Sequence, residues 1–415
     1  MFTLGVLVVS RLGVFIPVAG VNITRLADLI KQSEGVGGLL RHLDLFTGGA
    51  LSGCTLFALG IGPYITASIL FQMLSMTVPY LEQLSKEGEY GRKVINQYTR
   101  YATLGLSIIY SATYLTFLEF NNLVLTPGLG FRAFFVLSLV TGAMVMMWLG
   151  EQISLRGLGS GSGVLMASSV AALLPRNVIV TIHAVQIGNL SISLALFILV
   201  VFLAVAGCIV FLEKGERKIP VQYARRVIGQ RVYGGQNTYI PFKINSVGVM
   251  PAIFTSSVLN IPIFIAGALS TRWVIFRMFK DALEINGFIY NVATFGLIVL
   301  FTYIYTAVVF NPVELADNMK KSGGFIPGVR PGSQTAKYFD FLLTRIGLVG
   351  AVYLGCLVLM PNILQAVISV PFQLGGTSLL ILVGVALELS SQIESYLIEN
   401  KYGSFLSTGK TKNRG

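Results

Sequence analysis

Ten stretches of this chain are apolar over the roughly 20 residues that an α-helix needs to cross a hydrocarbon layer. They lie at 1–19, 54–78, 101–118, 132–149, 160–182, 190–212, 247–269, 288–310, 342–360 and 377–398. In lipid each backbone N–H and C=O must find its partner inside the protein, and helices satisfy that requirement segment by segment. The pattern therefore predicts an all-α polytopic membrane protein with ten transmembrane helices. The sixth and eighth stretches contain no charged residue. The fifth is the weakest, because Pro175 and Arg176 interrupt it. Stretch 1–19 lacks a basic leader and carries Arg11 in its middle, so it reads as a span rather than a secretory signal. Only 12% of the residues are charged, about half the share of a soluble chain, which excludes an ordinary soluble enzyme and a disordered scaffold.

Orientation follows from the basic residues. Lys and Arg number 30 against 18 Asp and Glu, a net charge of +12. With ten spans, the loops 79–100, 150–159, 213–246 and 311–345 and the tail after 398 fall on one side and hold most of the Lys and Arg residues. The positive-inside rule places that side, and with it both termini, in the cytoplasm.

Segment 36–63 does not read as a plain helix. GVGGLLRHLDLF is short, apolar and charged, TGGALSG follows, and Gly60, Gly62 and Pro63 punctuate the next span. Irregular backbone at membrane depth must be buried in protein or line a wet cavity. The segment therefore reads either as a half-helix, a break and a span beside a cavity, or as an external loop with a short amphipathic helix.

Catalytic and ion-coupling chemistry leaves little trace. Titratable groups inside the spans are few: Glu388 and Glu394 toward the end of the last, and Arg11 in the first. A proton relay through Glu388 would want a midplane partner, so a helix-end carboxylate is the better reading. The tail GSFLSTGKT has five residues between its glycines where a phosphate loop needs four. GLGSGSG at 157–163 has the wrong spacing for a dinucleotide turn. The three cysteines are scattered and the two histidines lie far apart, so the sequence predicts no metal, no cofactor and no enzyme.

Two basic loops exceed what topology alone requires. Loop 213–246 interleaves arginines with Tyr223, Tyr233 and Tyr239, and alternates in strand fashion around VQYARRV and TYIPFKI. That combination suits RNA backbone or an acidic protein surface and predicts a docking hairpin. In loop 311–341, Arg330 stands between Pro327, Gly328, Pro331 and Gly332, which predicts a stiff, exposed turn.

At these residues the chain resembles the SecY family, the central subunit of the bacterial protein-conducting channel. The likeness is carried by LGVFIPVAG (12–20), LFTGGALS (45–52), FALGIGPYITASILFQML (57–74), KEGEYGRKVINQYTRY (86–101), MWLGEQISLRGLGSG (147–161) and VFLEKGERKIPVQYARR (210–226). It continues through residues 305–338, LTRIGLVGAVYL (343–354) and FQLGGTSLLILVGVALE (372–388).

The resemblance implies two inverted-repeat halves around a central pore, here 1–185 and 186–398, followed by a tail at 399–415. It implies a plug at about 39–51, including Leu39, Leu40, Leu43, Leu45, Phe46, Gly48 and Gly49. It implies a pore ring of Ile61, Ile65, Ser162, Met166, Ile253 and Ile381, in which Ser162 departs from the usual isoleucine. A lateral gate would open between spans 2 and 7, with Gln72 and Asn245 beside it. Arg217, Lys218, Arg225, Arg226, Arg231, Lys320, Lys321 and Arg330 would dock the motor ATPase SecA or the ribosome. The implied partners also include SecE, a SecG-type small subunit, signal peptides, nascent chains and membrane lipid. The implied site is the bacterial inner (plasma) membrane. The family normally has a basic segment before its first span, whereas here Met1 opens the span, so a truncated or misassigned start is expected. Against this passive channel stand two other readings, a secondary transporter with broken helices and a membrane-embedded enzyme.

Overall fold

A computed structural model describes residues 1–32, 44–188, 190–223, 226–228, 231–233, 237–245, 248–269, 287–367 and 375–410. Thirteen helices are described in full or in part: α1 Phe2–Leu12, α2 Ile23–Gln32, α3 Gly62–Thr77, α4 Pro79–Lys86, α5 Glu89–Phe120, α6 Leu129–Arg156, α7 Gly161–Gln186, α8 Ile192–Lys214, α9 Met250–Leu269, α10 Phe288–Val309, α11 Pro312–Lys321, α12 Ser333–Val367 and α13 Gly376–Lys410. Each of the ten apolar stretches falls on one of these helices, namely α1, α3, α5 to α10, α12 and α13. Seven of the described helices are long and apolar enough to cross a membrane alone. Helix α1 is shorter and runs on through a 3₁₀ turn at Gly13–Phe15. Helix α3 meets α4 at a bend of 98° near Pro79, where the proline presets the backbone for a new helix start.

The fifth span, expected at 160–182 and the weakest of the ten, is present. Helix α7 continues unbroken through Pro175 and Arg176. A proline removes one N–H, but helices in membranes tolerate it when the freed carbonyl finds another partner. Arg176 is exposed and leaves the helix ladder untouched.

Close packing decides how α6 meets α7. A Cβ on Gly161 would lie 1.8 Å from the carbonyl oxygen of Gly150. Only a residue without a side chain lets the two backbones approach so closely. Helices α5 and α6 are pinned near both ends by forked arginine–carboxylate pairs. Arg100 donates to Glu151 at 2.9 and 2.7 Å, and Arg132 donates to Glu119 at 2.7 and 3.1 Å.

Outside the helices, the hairpin expected at 213–246 is present. Strand β1 (Glu216–Tyr223) pairs antiparallel with β4 (Asn237–Lys243), in a register running from Glu216↔Lys243 to Gln222↔Asn237. The other edge of β1 takes β5 (Gly324–Phe325). Strands β2 (Arg226–Ile228) and β3 (Arg231–Tyr233) form a separate two-stranded ribbon. Ile219 and Val221 of β1 are buried with Phe242, Met319, Ile326 and Phe339, giving the two loops a common apolar core.

Candidate pore and lateral gate

Helix α3 starts at Gly62, immediately after the irregular stretch 48–61, with Pro63 in its first turn. That start directs Ile61 and Ile65 to the centre of the molecule. There they join Met166 of α7, Ile253 of α9 and Ile381 of α13 in one buried cluster, with Phe57, Ile69, Phe254 and Val385 around them. Five of the six residues expected in the pore ring thus meet. The sixth does not join that apolar cluster: Ser162 is half-buried, with its hydroxyl 3.4 Å from that of Ser160 at the start of α7.

A cavity of about 120 Å³ adjoins this waist. Its wall is formed by Ile61, Ile65, Met166 and Ile253, by Tyr110 of α5, and by Phe46, Thr47 and Leu51 of the segment before α3. The cavity has room for a few water molecules.

Residues 44–61 form the outer wall of that cavity. Asp44 closes the turn: one carboxylate oxygen accepts from the N–H groups of Leu51 and Ser52, both at 2.9 Å. Burial nevertheless holds the Asp44 carboxyl above its usual range, with those hydrogen bonds opposing the shift. Gly48 and Gly49 lie at φ +69° and +90°. Leu45, Ala50 and Leu51 are buried, and the Leu51 carbonyl accepts from the hydroxyl of Tyr114 at 2.8 Å. Of the residues expected in the plug, Leu45, Phe46, Gly48 and Gly49 are described here, while Leu39, Leu40 and Leu43 lie outside the described residues.

Helix α3 packs against α9, the pair expected to form the gate. Gln72 is half-buried on α3. Asn245 is buried, and its amide donates to Glu213 at 2.9 Å and to the Gly248 carbonyl at 3.0 Å. Those bonds tie it to the end of α8 and the approach to α9. Glu388 and Glu394 are both exposed.

The basic loops present their charges outward. Arg217, Lys218, Lys320, Lys321 and Arg330 are exposed. Arg330 sits between Gly328 (φ +84°) and Gly332 (φ +106°), and its carbonyl accepts from Thr335 at 2.9 Å. Arg226 and Arg231 lie on the β2–β3 ribbon, and Arg225 lies outside the described residues.

One residue that sequence reasoning left without a role is placed here. Arg11 reaches from α1 to the carbonyls of Gly48 and Ser168. The signal available in the sequence was a charge inside an apolar span, which normally marks a functional contact.

The fold and this site define a class: a multi-pass helical membrane protein whose helices converge on an apolar constriction beside a small cavity. Comparison with known proteins narrows it. The sequence pattern of the SecY family matches residues 55–390. The protein translocase subunit SecY of Escherichia coli (strain K12) is 42% identical over 421 aligned residues, covering 100% of this chain and 95% of that protein. The protein translocase subunit SecY of Vibrio cholerae is also 42% identical, over 100% of this chain and 94% of its own length. A solved structure described as a protein-conducting channel superposes with a TM-score of 0.67 at 18% identity, over 95% of this chain and 91% of that one. Sec61 in the canine ribosome–channel complex superposes at 0.62 with 17% identity over the same shares. The chain belongs to the SecY family, and its fold is that of the ten-helix SecY and Sec61 channels.

Proposed function

We propose that the chain is the pore subunit through which unfolded polypeptides cross the membrane and through which apolar segments enter it. The observation that carries this reading is the convergence of Ile61, Ile65, Met166, Ile253 and Ile381 from four separate helices on one apolar waist. An extended chain cannot cross lipid, because each unpaired backbone group would cost several kcal/mol. A hydrated passage removes that cost, and an apolar constriction limits ion flow by dewetting while still yielding to a polypeptide. The segment at about 39–51 acts as the plug on one side of the waist. The two halves, 1–185 and 186–398, part along α3 and α9, with Gln72 and Asn245 beside the gate. Sorting is then partition. Each central Leu or Ile favours lipid by roughly 0.3–0.6 kcal/mol, so about twelve give on the order of 4–7 kcal/mol, enough to send a signal sequence sideways.

A channel of this kind needs energy from elsewhere. The exposed basic residues at 217, 218, 320, 321 and 330 support docking of SecA or a ribosome on the cytoplasmic side, a role that the resemblance also gives to Arg225, Arg226 and Arg231. SecE and a SecG-type subunit complete the complex in the bacterial inner membrane, with both termini in the cytoplasm. The test is reconstitution of the SecE-bound complex with SecA, ATP and a secretory precursor. Protease-protected precursor inside the vesicles is the expected result. A competent complex that moves no precursor, but exchanges a small solute against protons, would replace this reading with the transporter.

A further inference from the structure

Arg11 is a charged group inside the apolar first span, a position that is expensive unless the charge meets polar partners. None of the ion pairs found among the described residues involves it. Its partners are backbone carbonyls. One terminal nitrogen donates to the Ser168 oxygen at 2.5 Å and the other to the Gly48 oxygen at 3.4 Å. A carbonyl has two lone pairs, so Ser168 can accept from Arg11 without leaving the ladder of α7. A single side chain thus joins the first span, the fifth span and the segment that walls the cavity.

The Gly48 side of this contact is fitted to the guanidinium. Gly48 lies at φ +69°, and a Cβ there would stand 2.6 and 2.8 Å from the two terminal nitrogens and 2.9 Å from the Ser169 carbonyl. Asp44 closes the same turn on itself through Leu51 and Ser52. What Arg11 holds is therefore a self-contained unit, attached to α7 and α1 by a bond that is directional, charge-assisted and free of any carboxylate. A buried carboxylate partner would make such a bond hard to break; a carbonyl at 3.4 Å can be released.

We infer that Arg11 is a positioning residue that latches the 44–53 turn over the waist, through the Gly48 carbonyl, and that passage of a polypeptide requires this latch to open. The inference rests on the pore reading above. Its test uses the full SecE-bound complex in vesicles, with four variants: Arg11→Met, Arg11→Lys, Gly48→Ala and the double variant that combines Arg11→Met with Gly48→Ala. The readouts are ion conductance without precursor, precursor transport with SecA and ATP, and thermal unfolding of the complex. Losing a hydrogen bond from a charged group shifts a two-state balance by about tenfold, so Arg11→Met and Gly48→Ala should each raise resting conductance by about that factor. Arg11→Lys should restore most of the seal, and the double variant should leak no more than either single one. Parental resting conductance in both single variants, with transport intact, overturns the latch and leaves the pore reading standing. Leaks that add in the double variant, together with lost thermal stability, also overturn it, since they mark two independent packing defects. If Arg11→Met fails to assemble, Gly48→Ala decides: raised conductance supports the latch and parental conductance overturns it. A parental complex that transports no precursor removes the pore reading itself.

Discussion

At the waist, five side chains between residues 61 and 381 come from four helices and meet in a buried cluster made of apolar groups. In the β-sheet beside the membrane helices, β1 pairs with β4 of its own loop and with β5 of the loop before α12, and both loops carry exposed cations. In the proposed function the first region excludes ions by leaving water nothing to bond to. The second would attract partners by long-range charge, an interaction that weakens with salt. On that proposal sealing and docking fall to separate places, so a change in one should leave the other intact.

The sharpest way to break that separation is Arg330→Glu. It reverses a charge held on an exposed glycine-flanked turn, so SecA-driven transport should fall below detection while membrane assembly and resting conductance stay parental; normal transport would remove the docking role. Replacing Ile61, Ile65, Ile253 and Ile381 together by serine should do the reverse, wetting the waist and raising resting conductance by about an order of magnitude or more, with SecA binding unchanged. An unchanged conductance would place the seal elsewhere. Gly161→Ala forces α6 and α7 apart and should destabilise the complex by about 1–3 kcal/mol, read as a lower unfolding midpoint.

The smallest effect concerns Asp44. Its carboxyl titrates above the ordinary value of 3.8 because it is buried. A raised value in the folded state means that protonation favours the packed turn. The stabilisation is complete below that ordinary value and is lost as pH rises through the raised one. Hydrogen exchange at Leu51 and Ser52, corrected for intrinsic rate, should quicken across that window and become flat in Asp44→Asn. Equal pH dependence in both proteins would remove Asp44 as the cause.

Much of this architecture was legible in advance, for identifiable reasons. A span announces itself because about 20 apolar residues in sequence have no other stable home. The β1–β4 hairpin showed as alternation, with Ile219 and Val221 turned inward. Pro175 weakened the apolar signal of the fifth span without ending its helix, since a membrane bundle tolerates the missing N–H. The ring came from family resemblance and not from periodicity, since nothing local marks which face of α3 will meet α9 and α13. The Arg11–Gly48–Ser168 contact depends on how three distant segments pack, and no spacing rule reaches across 157 residues.

The two residues of β5 lie on the edge of β1 and join loops that are about a hundred positions apart in the chain. Because Ile219, Phe242 and Ile326 share one core beneath them, these loops behave as a single stiff plate bolted to the ends of α8 and α12. A load applied to either loop would reach both helices through that shared core.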